Sequence, residues 1–402
     1  MNPQDFKTNT TGQLVSIGMD RWAFVPNPLP PPLEWTGDLL NALSNADRAI
    51  GQLAAWGGAL PGFDPYLLVR PFINREAVLS SRIEGTQTSI TELYALQADQ
   101  SFDSAERRAD AVEVRNYVRA LEHGLERRKT LPVSLRLLRE MHTILMEGAR
   151  GAKRDPGEFR RIQVWIGGAG AGMEQASYVP PPPGQELNDA LSKLDQYINQ
   201  DGGLPPLVKI ALIHHQFEAI HPFLDGNGRI GRLLIALLLV EWQILPQPLL
   251  YLSAFFERHR RAYYDHLLAV STHGSWREWL EYFLEGVATE ARDASQRLNQ
   301  LSELQGVYRE RLKDMTLSVL RALDTLFGQP VTTVRQLEQN LGLTFEASRR
   351  IVARLEDAGI LTEITGRKRD RLYAAQEIMS ILERGTSKNL DYTKPSLRDR
   401  DA

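Results

Sequence analysis

The segment RLLIALLLVEW, residues 232–242, is apolar on nearly every side of a helix, so it must sit where other elements cover it all round. Its longest apolar run, Leu233 to Val240, is far too short to cross a bilayer, which makes the cover protein rather than lipid. The remaining sequence supplies suitable partners. Apolar residues at i, i+3, i+4 and i+7 recur while strand-like alternation is scarce, so the expected fold is mainly α. Val114, Tyr117, Val118 and Leu121 mark one core-facing helix over 109–127, and Leu135, Leu138, Met141 and Leu145 mark another over 134–147. Ile210, Ile213, Phe217 and Ile220 mark a third over 207–220. Upstream, the prolines of VPNPLPPPLEW predict an extended arm leading into a helix from about Thr36 to Trp56, with a second helical stretch at 71–83. The single conspicuous β element is expected between Arg161 and Pro183, where IQVWIGG, a glycine-rich turn and ASYVPPPP read as a hairpin or flap.

At 402 residues the chain is long enough for more than one folded unit. A polar helix from about 275 to 313 precedes a unit whose order is helix (Leu317 to Phe327), helix, helix and basic hairpin turning at Gly366, the layout of a winged helix-turn-helix. The expected divisions are 1–108, 109–290, a linker helix at 291–314, a winged helix at 315–384 and a disordered tail at 385–402. Ser348, Arg349, Arg350 and Arg354 fall on its third helix, the recognition helix of that layout, and Arg367, Lys368, Arg369 and Arg371 fill the hairpin, as phosphate contacts require. Glu338, Glu346, Glu356, Asp357 and Glu363 nearly balance them, so contact with DNA and contact with protein both stay open. A formal net charge of −3 gives the whole chain no pull toward nucleic acid or an anionic membrane. The absence of cysteine excludes disulfides, thiol nucleophiles, iron–sulfur clusters and cysteine-bound zinc. With an early acid and no apolar core in MNPQDFKTNTTGQL, the expectation is a soluble, cytoplasmic protein without a membrane partner.

The chemistry concentrates in HPFLDGNGRIGR, His221 to Arg232. A turn through Gly226, Asn227 and Gly228 can aim successive backbone N–H groups into one concavity, and it opens directly into a helix N-terminus, which favours anions. Arg229 and Arg232 then place positive charge in the first turn, where the helix dipole disfavours it by roughly 0.3–1 kcal/mol each. A polyphosphate would reverse the sign of that cost. Asp225 is placed to hold a magnesium ion against such phosphates, and His221 to take a proton from a hydroxyl group. A metal hydrolase using His214, His215, Glu218, His221 and Asp225 is a weaker reading, because adjacent histidines point about 100° apart on a helix and no H-E-x-x-H spacing exists.

Position by position, this stretch resembles the signature of the Fic family, mostly adenylyltransferases that move AMP from ATP to a protein hydroxyl. The resemblance covers roughly Trp22 to Glu290. It implies a Fic-fold helical core, ATP and Mg2+ as cofactors, and a protein target, which can be the enzyme itself. His221 is then the general base and Asp225 the metal ligand. Gly226, Asn227, Gly228, Arg229, Gly231 and Arg232 would bind nucleotide, while Phe223 anchors the loop. Branches with other transfers depart within the motif, whereas Gly228 is intact here, which favours AMP transfer. PGEFRRIQVWIGG and YVPPPP resemble the flap that aligns the target beside His221, with Val164, Trp165, Ile166 and Gly167 as flap residues. LSAFFERHRRAYYDHL resembles the adenine side of the site, with Tyr264 a nucleotide contact and His259 where the family often has asparagine.

In SSRIEG, Ser80 and Glu84 at i and i+4 on a helix would alone read as a solvated face. Beside the Fic resemblance, Ser80, Glu84 and Gly85 match the family's inhibitory pattern, placed on an N-terminal helix at about 71–85. Glu84 would then pair with Arg232 and hold ATP in an unproductive pose. Members with this arrangement are often dimers, so the resemblance allows a homodimer, although the sequence itself does not fix the oligomeric state. Removal of AMP at the same site, or DNA-binding regulation through the winged helix, remain alternatives to AMP transfer.

Overall fold

The computed structural model describes residues 1–56, 65–98, 105–148, 155–167, 172–200 and 202–384. The tail expected to be disordered, 385–402, lies outside the described residues, as do 168–171 of the expected flap. Fifteen α-helices lie among the described residues. An antiparallel hairpin of β1 (Gly12–Ser16) and β2 (Trp22–Pro26) opens the chain. It is followed by α1 (Gly37–Trp56), α2 (Pro65–Ile83), α3 (Ile90–Gln97), α4 (Ala105–Arg127), α5 (Leu135–Leu145), α6 (Gln185–Asn199), α7 (Pro206–Ile220) and α8 (Asn227–Glu241). Helices α9 (Ser253–Arg258), α10 (Arg260–His273) and α11 (Trp276–Arg311) complete the main body.

The all-round apolar segment is α8, and every residue from Ile230 to Val240 in it is buried. Helices α4, α5 and α7 pack around it, each presenting the apolar face that its periodicity marks. Helix α1 lies along α11, whose 36 residues extend about 54 Å. No helix among the described residues is long and apolar enough to cross a membrane.

The last part of the chain contains α12 (Leu317–Gly328), β3 (Val331–Thr332), α13 (Val334–Leu341), α14 (Phe345–Asp357), β4 (Thr362–Glu363), β5 (Tyr373–Ala374) and α15 (Gln376–Glu383). Its three short strands form an antiparallel sheet in the order β3-β5-β4. Helices α12 and α15 pack on α2, and α15 also packs on α11. Arg297 of α11 donates hydrogen bonds to the carbonyls of Ile381 and Arg384, so this part is tied to the body by specific bonds as well as apolar contact. Ser348, expected on an exposed phosphate-contacting face, is instead fully buried beneath α14. It is one turn from Val352 and faces the core with it, while Arg349 and Arg350 point outward and pair with Glu346.

One expectation about strands needs correction, that 161–183 holds the single β element of the main body. The one regular hairpin of the main body is β1–β2, at the N-terminus, whereas within 161–183 the described pairing is a single antiparallel bridge between Ile166 and Tyr178. Pro180 to Pro183 cannot donate ladder hydrogen bonds, which limits pairing there to the few residues before them. The two pieces join nonetheless, because the Phe24 N–H donates to Val179 O at 2.8 Å and so lays β2 beside the flap.

Candidate active site

Helix α7 stops at Ile220, and His221 turns out of it with φ +51°. A left-handed non-glycine residue costs about 1–3 kcal/mol, so its surroundings must hold it. Arg160 supplies much of that hold. Its Nε donates to His221 O at 2.8 Å, its Nη2 to Pro181 O at 2.6 Å, and its backbone N–H to Pro222 O at 2.9 Å. The catalytic-looking loop and the flap are therefore clamped by one guanidinium.

Two further side chains close the loop. Asn227 accepts the Phe223 N–H on Oδ1 at 2.8 Å and donates from Nδ2 to Phe223 O at 2.9 Å. From the other side, His142 Nδ1 accepts the Gly157 N–H at 2.8 Å, which leaves the proton on Nε2, 3.0 Å from Asp225 O. Its ring lies flat on the buried Phe223 ring, with centroids 3.8 Å apart. Burial pushes the His142 imidazole down to about 4, so it keeps this neutral form near neutral pH.

The loop delivers Gly226, at φ +77°, as the N-cap of α8. The first N–H groups of the helix have no partner within it and offer an anion site. Arg229 lies in the first turn of α8, whereas Arg232, expected there too, is the sixth residue and lies in the second; both are buried and already face acids. Arg229 Nη1 is 3.3 Å from Glu113 Oε2, and its Nη2 is 3.6 Å from Asp225 Oδ1. Arg232 donates from Nε to Ser80 Oγ at 2.8 Å, and from Nη2 to Ser80 O at 3.0 Å and Glu84 Oε1 at 2.7 Å.

The helix carrying Ser80 ends at Ile83, where the helical stretch is expected to end, and leaves Glu84 and Gly85 of the inhibitory pattern just beyond it. Thr86 N–H bonds back to Ser81 O and Gly85 N–H to Arg82 O, a Schellman closure with Gly85 at φ +101°. Glu84 thus occupies the C-cap, where a carboxylate opposes the helix dipole, and it meets Arg232, a cation buried in the second turn of α8. Each awkward charge satisfies the other. Burial pushes the Glu84 carboxyl up, but the charge and hydrogen bond of Arg232 outweigh it and hold the group below the ordinary carboxylate range. A β-carbon at Gly228 would lie 2.3 Å from Glu84 Oε1, so the carboxylate rests directly against the start of α8.

These groups share a cavity of about 650 Å³. Its walls include Glu84, Gly228, Arg232, His221, Glu218 and Tyr264, together with Trp165, Ile166 and Gly167 of the flap. Val164 is on the flap segment but does not line the cavity. Tyr264 is 41% exposed, whereas its neighbour Tyr263 is buried and its hydroxyl lies 2.9 Å from His214 Nε2. Burial, with the nearby Arg160 charge, pushes His221 down to about 4, so its imidazole is neutral near pH 7. His221 Nδ1 faces Glu218 O at 3.4 Å, which leaves Nε2 as the nitrogen able to accept a proton.

His214 and His215 do not turn toward Asp225. Each bonds a backbone carbonyl, Gly231 O and Leu267 O, within the core. Among the described residues no group of three or more His, Asp or Glu side chains is arranged to hold a metal. Asp225, with its side chain 37% exposed, is a single carboxylate of the kind that suits a magnesium ion held mainly by substrate phosphates. Glu113, His142 and Arg160 are not marked by spacing, since each reaches the site from a separate helix or loop, whereas Glu218 comes from α7, one turn before His221.

The chain is similar to known proteins. The Fic/DOC family matches residues 132–239, and the Fic/DOC family N-terminal region matches residues 40–126. The protein adenylyltransferase Fic of Drosophila grimshawi is 33% identical over 131 residues, 32% of this chain and 24% of that protein. That of Culex quinquefasciatus is 33% identical over 131 residues, 32% of this chain and 23% of its own. The chain therefore spans about a quarter of the length of these relatives. A crystal structure of a Fic family protein from Desulfovibrio desulfuricans superposes with a TM-score of 0.57 at 22% identity, covering 86% of this chain and 98% of that one. A Fic-1 fragment from C. elegans gives a TM-score of 0.50 at 20% identity, over 66% of this chain and 74% of its own.

Proposed function

With residues 40–126 and 132–239 belonging to the Fic/DOC family, we propose that the chain transfers AMP from Mg·ATP to a Ser, Thr or Tyr hydroxyl of a protein and that Glu84 restrains it. The observation that carries this reading is the contact of Arg232 with Glu84. A guanidinium in the second turn of a helix, one turn from N–H groups that have no partner within it, already holds an anion at 2.7 Å in a cavity large enough for a nucleotide.

In the productive state the phosphates lie along the start of α8, held by the N–H groups of Asn227, Gly228 and Arg229 and by the two guanidinium forks. His221 Nε2 takes the proton of the target hydroxyl. The oxygen attacks the α-phosphorus, a P–O bond to the protein forms, and the bond to pyrophosphate breaks. Donors fixed along the helix stabilise the charge that develops. Asp225 would hold the magnesium ion, which when bound neutralises phosphate charge. The flap segment 164–167 presents the target chain. While Glu84 occupies Arg232, the outermost phosphate lacks its partner and ATP is misplaced for attack.

Replacing His221 by Ala should abolish AMP incorporation while ATP binding, measured by calorimetry, stays close to wild type. Normal transfer by that variant would remove His221 from the mechanism. Sequence relatives named as adenylyltransferases support the same reading.

The basic hairpin gives a second reading some support, because Arg350, Arg354 and residues 367–371 are all exposed on one end of the chain. We read 315–384 as a winged helix whose contact partner is DNA or protein. A gel shift with genomic fragments across a salt series separates the two, and no retardation even at low salt removes the DNA reading.

A further inference from the structure

Glu218 lies one turn before His221 on α7 and lines the same cavity. Its Oε1 is shielded from solvent and has no hydrogen-bond partner among the described residues. The groups around it are engaged elsewhere: Arg232 bonds Ser80 and Glu84, and the Tyr263 hydroxyl lies against His214. The same oxygen packs on Gly231, where an added β-carbon would come within 2.4 Å of it. Gly231 therefore leaves room for the carboxyl, and any side chain there would displace it. A shielded oxygen left without a partner is costly, and a site that binds something can relieve that cost.

The chemistry narrows what is bound. Burial pushes the Glu218 carboxyl up to about 8, against the pull of Arg232 and with the help of Glu84. At neutral pH it is mostly an uncharged acid, with one O–H donor and free acceptor capacity. Phosphate oxygens are served by the start of α8 and its arginines, and a flat ring by Tyr264. A group that both donates and accepts, as a neutral acid does, is matched by a hydroxyl that does the same.

We propose that Glu218 recognises the ribose of the bound nucleotide by exchanging hydrogen bonds with a sugar hydroxyl in the cavity it shares with Arg232 and Tyr264. This rests on the nucleotide-binding reading of the site. It makes the cavity selective for ribonucleotides, and it gives Gly231 a purpose distinct from binding phosphate.

Calorimetric binding of ATP, 2′-deoxy-ATP and 3′-deoxy-ATP to the full chain tests it. Glu218→Met fills the same space with no hydrogen-bonding head, and Glu218→Gln keeps a donor and an acceptor. Wild type should prefer ATP over one of the deoxy forms by about tenfold, the worth of one good hydrogen bond. Glu218→Met should erase that preference and Glu218→Gln should retain most of it. An unchanged preference in Glu218→Met, or none in wild type, overturns the assignment while ATP binding itself leaves the nucleotide reading standing. Failure of wild type to bind ATP at all overturns both.

Discussion

Replacing Glu84 by Gln removes the charge from the contact with Arg232 while keeping the shape of the side chain. The Arg232 side chain is 2% exposed and that of Glu84 34% exposed, with 2.7 Å between their nearest atoms. Breaking a wholly buried pair costs about 3–5 kcal/mol, and an exposed pair contributes about 0–1 kcal/mol. A pair with one partner a third exposed falls between, at about 2–3 kcal/mol. Removing a carboxylate from the C-cap of α2 recovers roughly 0.3–1 kcal/mol of dipole repulsion, leaving a net loss of about 1–2 kcal/mol. That is a factor of about 5–30 in an equilibrium. Since ATP must displace Glu84 to place its outer phosphate, the same factor should return as tighter nucleotide binding. Urea unfolding without nucleotide should show the variant less stable by this amount, and saturating Mg·ATP should narrow the gap. Incorporation of AMP should rise by about 5-fold or more, and by at least as much in Glu84→Gly. Unaltered transfer together with unaltered ATP affinity would refute the competition argument, whatever happened to stability.

Other consequences follow from the same geometry. Asn227→Ala leaves the Phe223 N–H and C=O without partners in a buried loop, so stability should fall by about 2–4 kcal/mol in urea unfolding and transfer should drop with it. A loss under 0.5 kcal/mol would show that the loop is held otherwise. Burial depresses His142, His215 and His221 to about 4 and His214 to about 3, so between roughly pH 4.5 and 6.5 the unfolded chain binds more protons at these sites. Glu76 and Glu218, raised by burial to about 7 and 8, act in the opposite direction, but the histidines outnumber them. Stability should therefore fall as pH drops through that window, by up to about 1.4 kcal/mol per pH unit for each net proton. A urea midpoint that is flat from pH 6.5 to 4.5 would contradict these assignments.

Much of this arrangement is legible from the sequence where one segment suffices. The uniform apolar character of 233–240 places α8 at the centre, and periodicity alone locates α4, α5 and α7. The glycines and arginines of HPFLDGNGRIGR mark an anion site without reference to any other part of the chain. What periodicity cannot supply is pairing across distance. Arg160, Glu113 and His142 are ordinary residues until folding brings them to the loop from 61, 116 and 83 residues away in sequence. The β1–β2 hairpin was missed because GQLVS and WAFVP are short, and part of what holds them is the Phe24 bond to Val179 rather than local alternation. Glu84 stands out only through its resemblance to a known inhibitory pattern, since a Ser and a Glu four apart are commonplace on solvated helices. Ser348 shows the opposite error: a polar residue flanked by arginines looks exposed, yet the helix turns it inward.

The central claim is that this loop transfers AMP and that Glu84 restrains it. The most direct measurement supplies purified chain with ATP labelled in the α-phosphate and, separately, in the γ-phosphate, and counts label retained on protein after denaturation. Comparing wild type, Glu84→Gly and His221→Ala, the account predicts α-label on protein in wild type, more in Glu84→Gly and none in His221→Ala, with no γ-label in any. Retention of γ-label, or equal α-label in all three proteins, would contradict it.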